Sequence, residues 1–437
     1  MSAGRCLGTV VCALFAACLL AADSWPVYRH DHANSGTASG AATAGQTIAS
    51  LKKGWVYRAG SRITSTPTVD AGLVFVGTWS GDALAIDASS GKIRWRAHLG
   101  ANPDEVYGGP RGVIGSIALA GGVAYAASGN CTLAALEEQS GKLHWRVTIC
   151  DNGKNDDMYA SPVVVDGMVL VGVDMLADRP TDRGREIALD AANGRLLWTF
   201  EPARYAGEGA GVSATPAVDD ARKIVFVGSG NPLPRDNPPP GPDPGSDSIY
   251  ALDLATGKPR WVYGPVHPHD TNDEDFFGSP NLIVLGGVHP RLVIGEGNKD
   301  GTYYAVDATS GAPLWRTQIP GGSPSASIIG TPAVAGDTIF VSIYDGASGS
   351  LTALRASDGT VMWQRATGGE YEAPLVAFGE VFTTEIPGRL DAFSPGSGKP
   401  LGTWGVCAPA MGRGPSAAGD DLYVASGPCL TQFVRTH

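Results

Sequence analysis

The sequence predicts an all-β fold: an eight-bladed β-propeller with four-stranded blades, the last blade closed by the N-terminal strand. Three observations predict it. A hairpin phrase recurs along the chain, a second pair of strand-like runs precedes each copy, and the copies lie about 50 residues apart, the length of a blade with generous loops. Turn-formers agree with this, since 60 Gly and 31 Pro among 437 residues make about a fifth of the chain against a usual share of roughly 12%.

The phrase first occurs as ALAIDASSGKIRW, ending at Trp95, and returns with its Trp at 145, 198, 261, 315 and 363 and in a looser copy at Trp404. In each copy alternating apolar residues run to a turn, most often at an Asp, a Gly lies in the turn, and the Trp closes the second strand. Upstream runs such as STPTVDAGLVFVGT and ASPVVVDGMVLVGV add a short strand and a β-branched apolar strand, so each repeat holds four. Trp55, in SLKKGWVYRAG, ends a strand with no hairpin partner before it, whereas DDLYVASGPCLTQFV near the C-terminus has strands but no final Trp. Each lacks what the other has, so the strand near 51–58 is expected to close the eighth blade; seven blades is the alternative. At blade periodicity the Trp residues read as inter-blade packing, and Asp87, Asp190, Asp253 and Asp307 as turn caps.

Residues 1–22 have the layout of a secretory signal peptide: Arg5, an apolar run from Leu7 to Leu20, and Ala21-Ala22 before Asp23. Residues 23–50 read as an N-terminal extension and 51–437 as the propeller, which places the protein in the periplasm or outside the cell. Lipid anchoring through Cys18 is the alternative to cleavage after Ala22. No other stretch approaches the about 20 apolar residues of a membrane span. With the signal removed, Cys131, Cys150, Cys407 and Cys429 remain, an even set in an exported chain. The hairpin frame sets Cys131 opposite Cys150, leaving Cys407 for Cys429. A formal charge of −11 without a Lys/Arg run removes the basis for nucleic-acid binding, and the lack of CxxCH rules out a covalently attached haem.

The repeat A-x-D-x-x-T-G-x-x-x-W resembles that of quinoprotein dehydrogenases and their non-enzymatic propeller relatives, nearest to the polyvinyl alcohol dehydrogenase branch. The resemblance implies a site. The segment beginning VGSGNPLP is similar to one whose Asn ligates calcium, which implies Asn231 as a metal ligand. PHDTNDEDFFGSP is similar to the segment with the catalytic base, which implies Asp273 as base and metal ligand and Asp275 as the added ligand of lanthanide-using relatives. IGEGNKDGTYYAVD implies Lys299 as the cation at the quinone carbonyls, and Pro110-Arg111-Gly112 implies Arg111 as a cofactor-carboxylate ligand. The Glu metal ligand that the resemblance implies in the third blade is not evident, and VDMLADRPTDRG offers Asp174 or Asp178 near the position, of which Asp178 is taken as the candidate. His267 and His269, an H-x-H pair in a loop, are a weak zinc signal.

This chain departs from the pattern at Gly108-Gly109, where relatives carry adjacent cysteines, and at Ser213, where the aromatic floor beneath the quinone is expected; both walls are therefore expected to be missing. The implied cofactors are pyrroloquinoline quinone with calcium or a lanthanide, and the implied reaction is oxidation of an alcohol, small or polymeric, with an external electron acceptor. The alternative is a non-catalytic propeller that binds protein or polymer in the cell envelope.

Overall fold

A computed structural model of the chain describes residues 24–38, 50–104, 109–175, 183–202, 208–233, 245–265, 273–286, 290–321, 328–345, 348–369, 372–409 and 412–436. Its strands form eight antiparallel blades in chain order, at 68–98, 118–148, 163–200, 217–263, 281–318, 333–367, 375–405 and 416–436. In the first seven the strands run from the innermost outward in sequence order; blade three also pairs Asp156–Asp157 with Met168–Met175. Blade eight takes its outermost strand, Ser50–Arg58, from the start of the chain. That strand lies antiparallel to Cys429–Thr436, with Leu51 opposite Arg435 and Arg58 opposite Cys429. The closure is the one the Trp pattern predicts, and the blade count is eight.

The repeated residues hold blade to blade. Each indole Nε1 donates to a carbonyl of the next blade: Trp95 to Glu138 at 2.7 Å, Trp198 to Leu254 at 3.0 Å, Trp315 to Ala356 at 3.1 Å, and Trp404 across the closure to Leu51 at 3.0 Å. Apart from Trp404, each ring also covers a turn glycine of that blade; a Cβ on Gly141 would lie 2.7 Å from Trp95 and one on Gly257 2.5 Å from Trp198, and both glycines have positive φ. The Ala of the phrase stands opposite the Trp, as with Ala85 and Trp95 or Ala305 and Trp315, where a small side chain leaves room for the ring. In the looser seventh copy Trp404 is displaced two residues along its strand, and its ring folds back over Gly402, where a Cβ would lie 2.4 Å from it. The turn aspartates cap as expected, Asp87 Oδ1 accepting from Ser90 N at 2.9 Å and Asp253 Oδ1 from Thr256 N at 3.1 Å.

Two further devices surround the central channel. Before the innermost strands of blades three to six a hydroxyl accepts an amide hydrogen from the preceding blade: Ser116 N donates to Ser161 Oγ, Ser161 N to Thr215 Oγ1, Thr215 N to Ser279 Oγ and Ser279 N to Thr331 Oγ1, all within 2.8–3.0 Å. The series stops at Ala373, which has no hydroxyl. Residues 24–38 run inside the channel, where the innermost strands expose an edge. Trp25 exchanges two backbone hydrogen bonds with Val69, and Leu119, Val218, Leu282, Val334 and Val376 donate to Pro26, His32, Ala33, Ser35 and Gly36. Six blades are thereby edged by one segment. The buried Arg29 and Asn34 side chains bond the carbonyls of Pro332 and Pro374, and of Thr215 and Pro280, at 2.5–3.2 Å.

Both disulfides form as expected, with Cα atoms 4.9 Å apart for Cys131–Cys150 and 6.1 Å for Cys407–Cys429.

Candidate functional site

Neighbouring strands of a blade run in opposite directions, so the loops entering each innermost strand and those leaving each second strand open at the same end. The candidate residues lie there. Arg111 enters blade two, Asp157 and Tyr159 enter blade three, Ser213 blade four, residues 273–277 blade five and Arg413 blade eight; Asp174, Asn231 and Lys299 stand where the second strands of blades three, four and five end.

Asn231, Asp273, Asp275 and Lys299 form one cluster. Asn231 Nδ2 donates to Asp273 Oδ1 at 2.6 Å, and Lys299 Nζ lies 2.9 Å from Asp273 Oδ1 and 2.8 Å from Asp275 Oδ1. Backbone contacts hold the two segments in register, since Lys299 N donates to Asp275 O at 3.0 Å and Asn298 Nδ2 to Glu274 O at 3.2 Å. Asp273 has φ 64°, a left-handed conformation that Asp tolerates better than most residues. Its side chain is 37% exposed, against 9% for Asp275 and 11% for Lys299. Burial opposes the charge on Lys299, but Asp275 and Asp273 outweigh it and hold the ammonium above the ordinary lysine range.

Arg111 is buried and ion-paired to the buried Asp157, and its backbone exchanges hydrogen bonds with Asn102 at 2.7 and 3.0 Å. Burial pushes the Asp157 carboxyl up to about 6 although Arg111 opposes the shift. Two rings connect this pair to the cluster. The Arg111 guanidinium lies 5.3 Å from the Tyr159 ring, Tyr159 meets Phe277 at 6.2 Å in an edge arrangement, and Lys299 Nζ lies 5.1 Å from Phe277. The four residues on which the sequence converged therefore share one end of the channel. Asp174 sits among them: burial first, then Asp275 and Asp157, raise its carboxyl to about 7 against the pull of Lys299. Asp178, His267, His269 and Asn272 lie outside the described residues.

The expectation of a site without aromatic walls is met at Gly109 and Ser213 only, Gly108 lying outside the described residues. Ser213 is buried and small, but Tyr159 and Phe277 occupy the same slot in the two flanking blades, two residues before the Ser/Thr-Pro that opens an innermost strand (YASP, SATP, FGSP), and their rings meet. A Cβ on Gly109 would lie 3.3 Å from Trp79, whose ring Arg62 covers at 4.1 Å. The sequence reading missed Tyr159, Phe277, Asp157 and Arg413. For the two rings the slot before Ser/Thr-Pro was the available signal, whereas nothing local marks Asp157 or Arg413.

The donors suit a hard cation. Asn231 Oδ1 is buried without a hydrogen-bond partner among the described residues, and it stands beside two carboxylates, so the set is all oxygen. No group of three Asp, Glu, His or Cys side chains takes up a metal-binding arrangement among the described residues.

The profile described as "Glucose/ethanol/alcohol dehydrogenase, beta-propeller domain" matches residues 25–320, more than half of the chain. The chain belongs to this family. That of the outer membrane protein assembly factor BamB matches residues 299–427. The polyvinylalcohol dehydrogenase of Sphingopyxis sp. is 28% identical over 87% of this chain and 69% of its own length. Among solved structures, the quinohemoprotein alcohol dehydrogenase from Comamonas testosteroni superposes with a TM-score of 0.78 at 18% identity, covering 94% of this chain and 80% of that one. A europium-containing methanol dehydrogenase gives 0.76 at 17% identity, covering 92% and 89%. Family membership accounts for the propeller and for the order of the matching segments along it.

Proposed function

We propose that this chain is an exported quinoprotein-type dehydrogenase that oxidises an alcohol group, on a small molecule or a polymer, with pyrroloquinoline quinone and a calcium or lanthanide ion. The observation that carries the proposal is the cluster in which Asn231, Asp273, Asp275 and Lys299, drawn from blades four and five, bond one another at one channel end. Asn231, Asp273 and Asp275 would hold the cation, with Asp178 as a further oxygen ligand. When bound, the quinone supplies the hydride acceptor that no side chain provides. Asp273, the more exposed carboxylate, takes the proton of the alcohol hydroxyl. Lys299 presents positive charge where negative charge grows, and Arg111, held by Asp157, orients a carboxylate of the cofactor. Electrons leave to an external acceptor, and export follows from residues 1–22.

Calorimetric titration of the protein with pyrroloquinoline quinone and calcium or lanthanum, followed by dye-linked oxidation of alcohols, tests this reading. Saturable binding and turnover are expected; absence of quinone binding with either ion overturns it. A second reading, a non-catalytic scaffold, draws on the match of residues 299–427 to the BamB profile, and such a protein would bind no quinone.

A further inference from the structure

Three cations approach the Tyr159–Phe277 pair, and they are not equivalent. Lys299 is paired with Asp273 and Asp275, and Arg111 with Asp157. Arg413 enters from blade eight. Its guanidinium lies 5.9 Å from the ring of Tyr28, to whose side chain it hydrogen-bonds and whose hydroxyl donates to Thr331 Oγ1 at 2.9 Å, and Tyr159 lies close enough to act on its charge. Among the described residues no carboxylate forms an ion pair with it. Asp174 acts on it only at a distance, and burial lowers its affinity for its proton. A guanidinium partly withdrawn from water in this way gives up some of its hydration without recovering it from an anion.

The backbone around it is built with care for position. Arg413 N donates to Thr64 O at 2.8 Å and Thr66 Oγ1 donates to Arg413 O at 2.7 Å, so both sides of its peptide unit are fixed to blade one. The next residue, Gly414, has φ 98°, and a Cβ there would lie 2.3 Å from Ala373 O of blade seven. Three blades thus fix the backbone of a charged residue whose head forms no ion pair with a carboxylate among the described residues, whereas the backbone of a surface arginine is commonly mobile. Such rigidity without an internal counterion suits a ligand anion, because the ordering is done before the ligand arrives.

We propose that Arg413 is a binding residue for a carboxylate of a planar aromatic ligand seated at this end of the channel, acting beside Arg111. The proposal rests on the quinoprotein reading for the identity of that ligand, a quinone bearing carboxylates. The division of labour follows from charge: Arg111 is neutralised by Asp157 and contributes geometry, whereas Arg413 contributes net positive charge. Tyr28, carried into the channel by residues 24–38, sets its ring and hydroxyl beside the guanidinium.

The test is calorimetric titration of wild type, Arg413→Gln and Arg413→Met with two probes, pyrroloquinoline quinone with calcium and the redox-inert planar tricarboxylate trimesate, with melting temperatures to verify folding. Both probes are expected to bind wild type, and each substitution to weaken both by about tenfold or more, the loss of one charge-assisted contact. Trimesate binding that depends on Arg413 without quinone binding sinks the quinoprotein reading and leaves the anion site standing. Equal affinity of a folded variant and wild type for the probes overturns the Arg413 proposal, as does a wild type that binds neither.

Discussion

At the scale of single residues, the site is a set of charges whose pairing decides what each can do. Asp273 and Asp275 share the Lys299 ammonium, and a second charged oxygen favours a trivalent over a divalent cation. Wild type is therefore expected to bind lanthanum more tightly than calcium by calorimetry, Asp275→Ala to lose that preference, and Asp273→Ala to lose turnover with either ion. Equal lanthanum affinity of wild type and Asp275→Ala would assign Asp275 to the loop rather than to the metal. Away from the site, Glu186 is fully buried, neither oxygen has a partner among the described residues, and burial holds its carboxyl well above the usual range. The folded state keeps a proton that the unfolded chain releases near the ordinary carboxylate pKa. Stability from this group is thus complete below that pKa and is lost steadily as pH rises toward the folded value. Glu186→Gln should flatten this fall: the melting temperature of wild type drops more between about pH 5 and pH 8 than that of the variant, and parallel curves would show Glu186 to be ionised in the fold.

At the scale of elements, the segment 24–38 is the feature that local pattern hid. It contains no repeat phrase and few strand signals, yet its carbonyls satisfy amides along the channel edge of blade after blade. Arg29 fixes its centre by donating to the carbonyls of Pro332 and Pro374. Arg29→Met leaves two buried carbonyls without that donor, at about 1–3 kcal/mol each, so denaturant titration should show a loss of about 3 kcal/mol. A loss below about 1 kcal/mol would mean that water replaces the guanidinium. The hydroxyl series gives the opposite test. Ala373 fills the place before Pro where blades three to six carry Ser or Thr, and Ala373→Ser should stabilise by about 0.5–1.5 kcal/mol, read as a rise in melting temperature.

At the scale of the whole molecule, closure is the step on which the ring depends. Ser50–Arg58 must return to Cys429–Thr436 over nearly the full chain length, and the Trp404–Leu51 hydrogen bond and the Cys407–Cys429 bridge lie beside that seam. The two disulfides span similar separations, 19 and 22 residues, so chain entropy assigns each about 3 kcal/mol. Any difference between them reports on the seam. Cys407→Ala/Cys429→Ala is expected to lower the melting temperature further than Cys131→Ala/Cys150→Ala; an equal drop would show that strand pairing alone secures the ring.

What the sequence determined by itself follows from periodicity and from short-range chemistry. The Trp phrase carries its own hairpin, its own capping Asp and its own packing partner one blade on, and repetition makes that legible without coordinates. Asn231, Asp273 and Lys299 are legible only through the resemblance of their segments to those of quinoprotein dehydrogenases, which carries their order along the chain but not their contacts. The tertiary structure decided what depends on residues distant in sequence: the path of 24–38 through the channel, the meeting of Tyr159 with Phe277, the pairing of Arg111 with Asp157, and the lack of an ion pair between Arg413 and any carboxylate among the described residues. A pairing between two side chains is a property of the space between them, and in a ring of eight blades that space is fixed only when the last strand closes it.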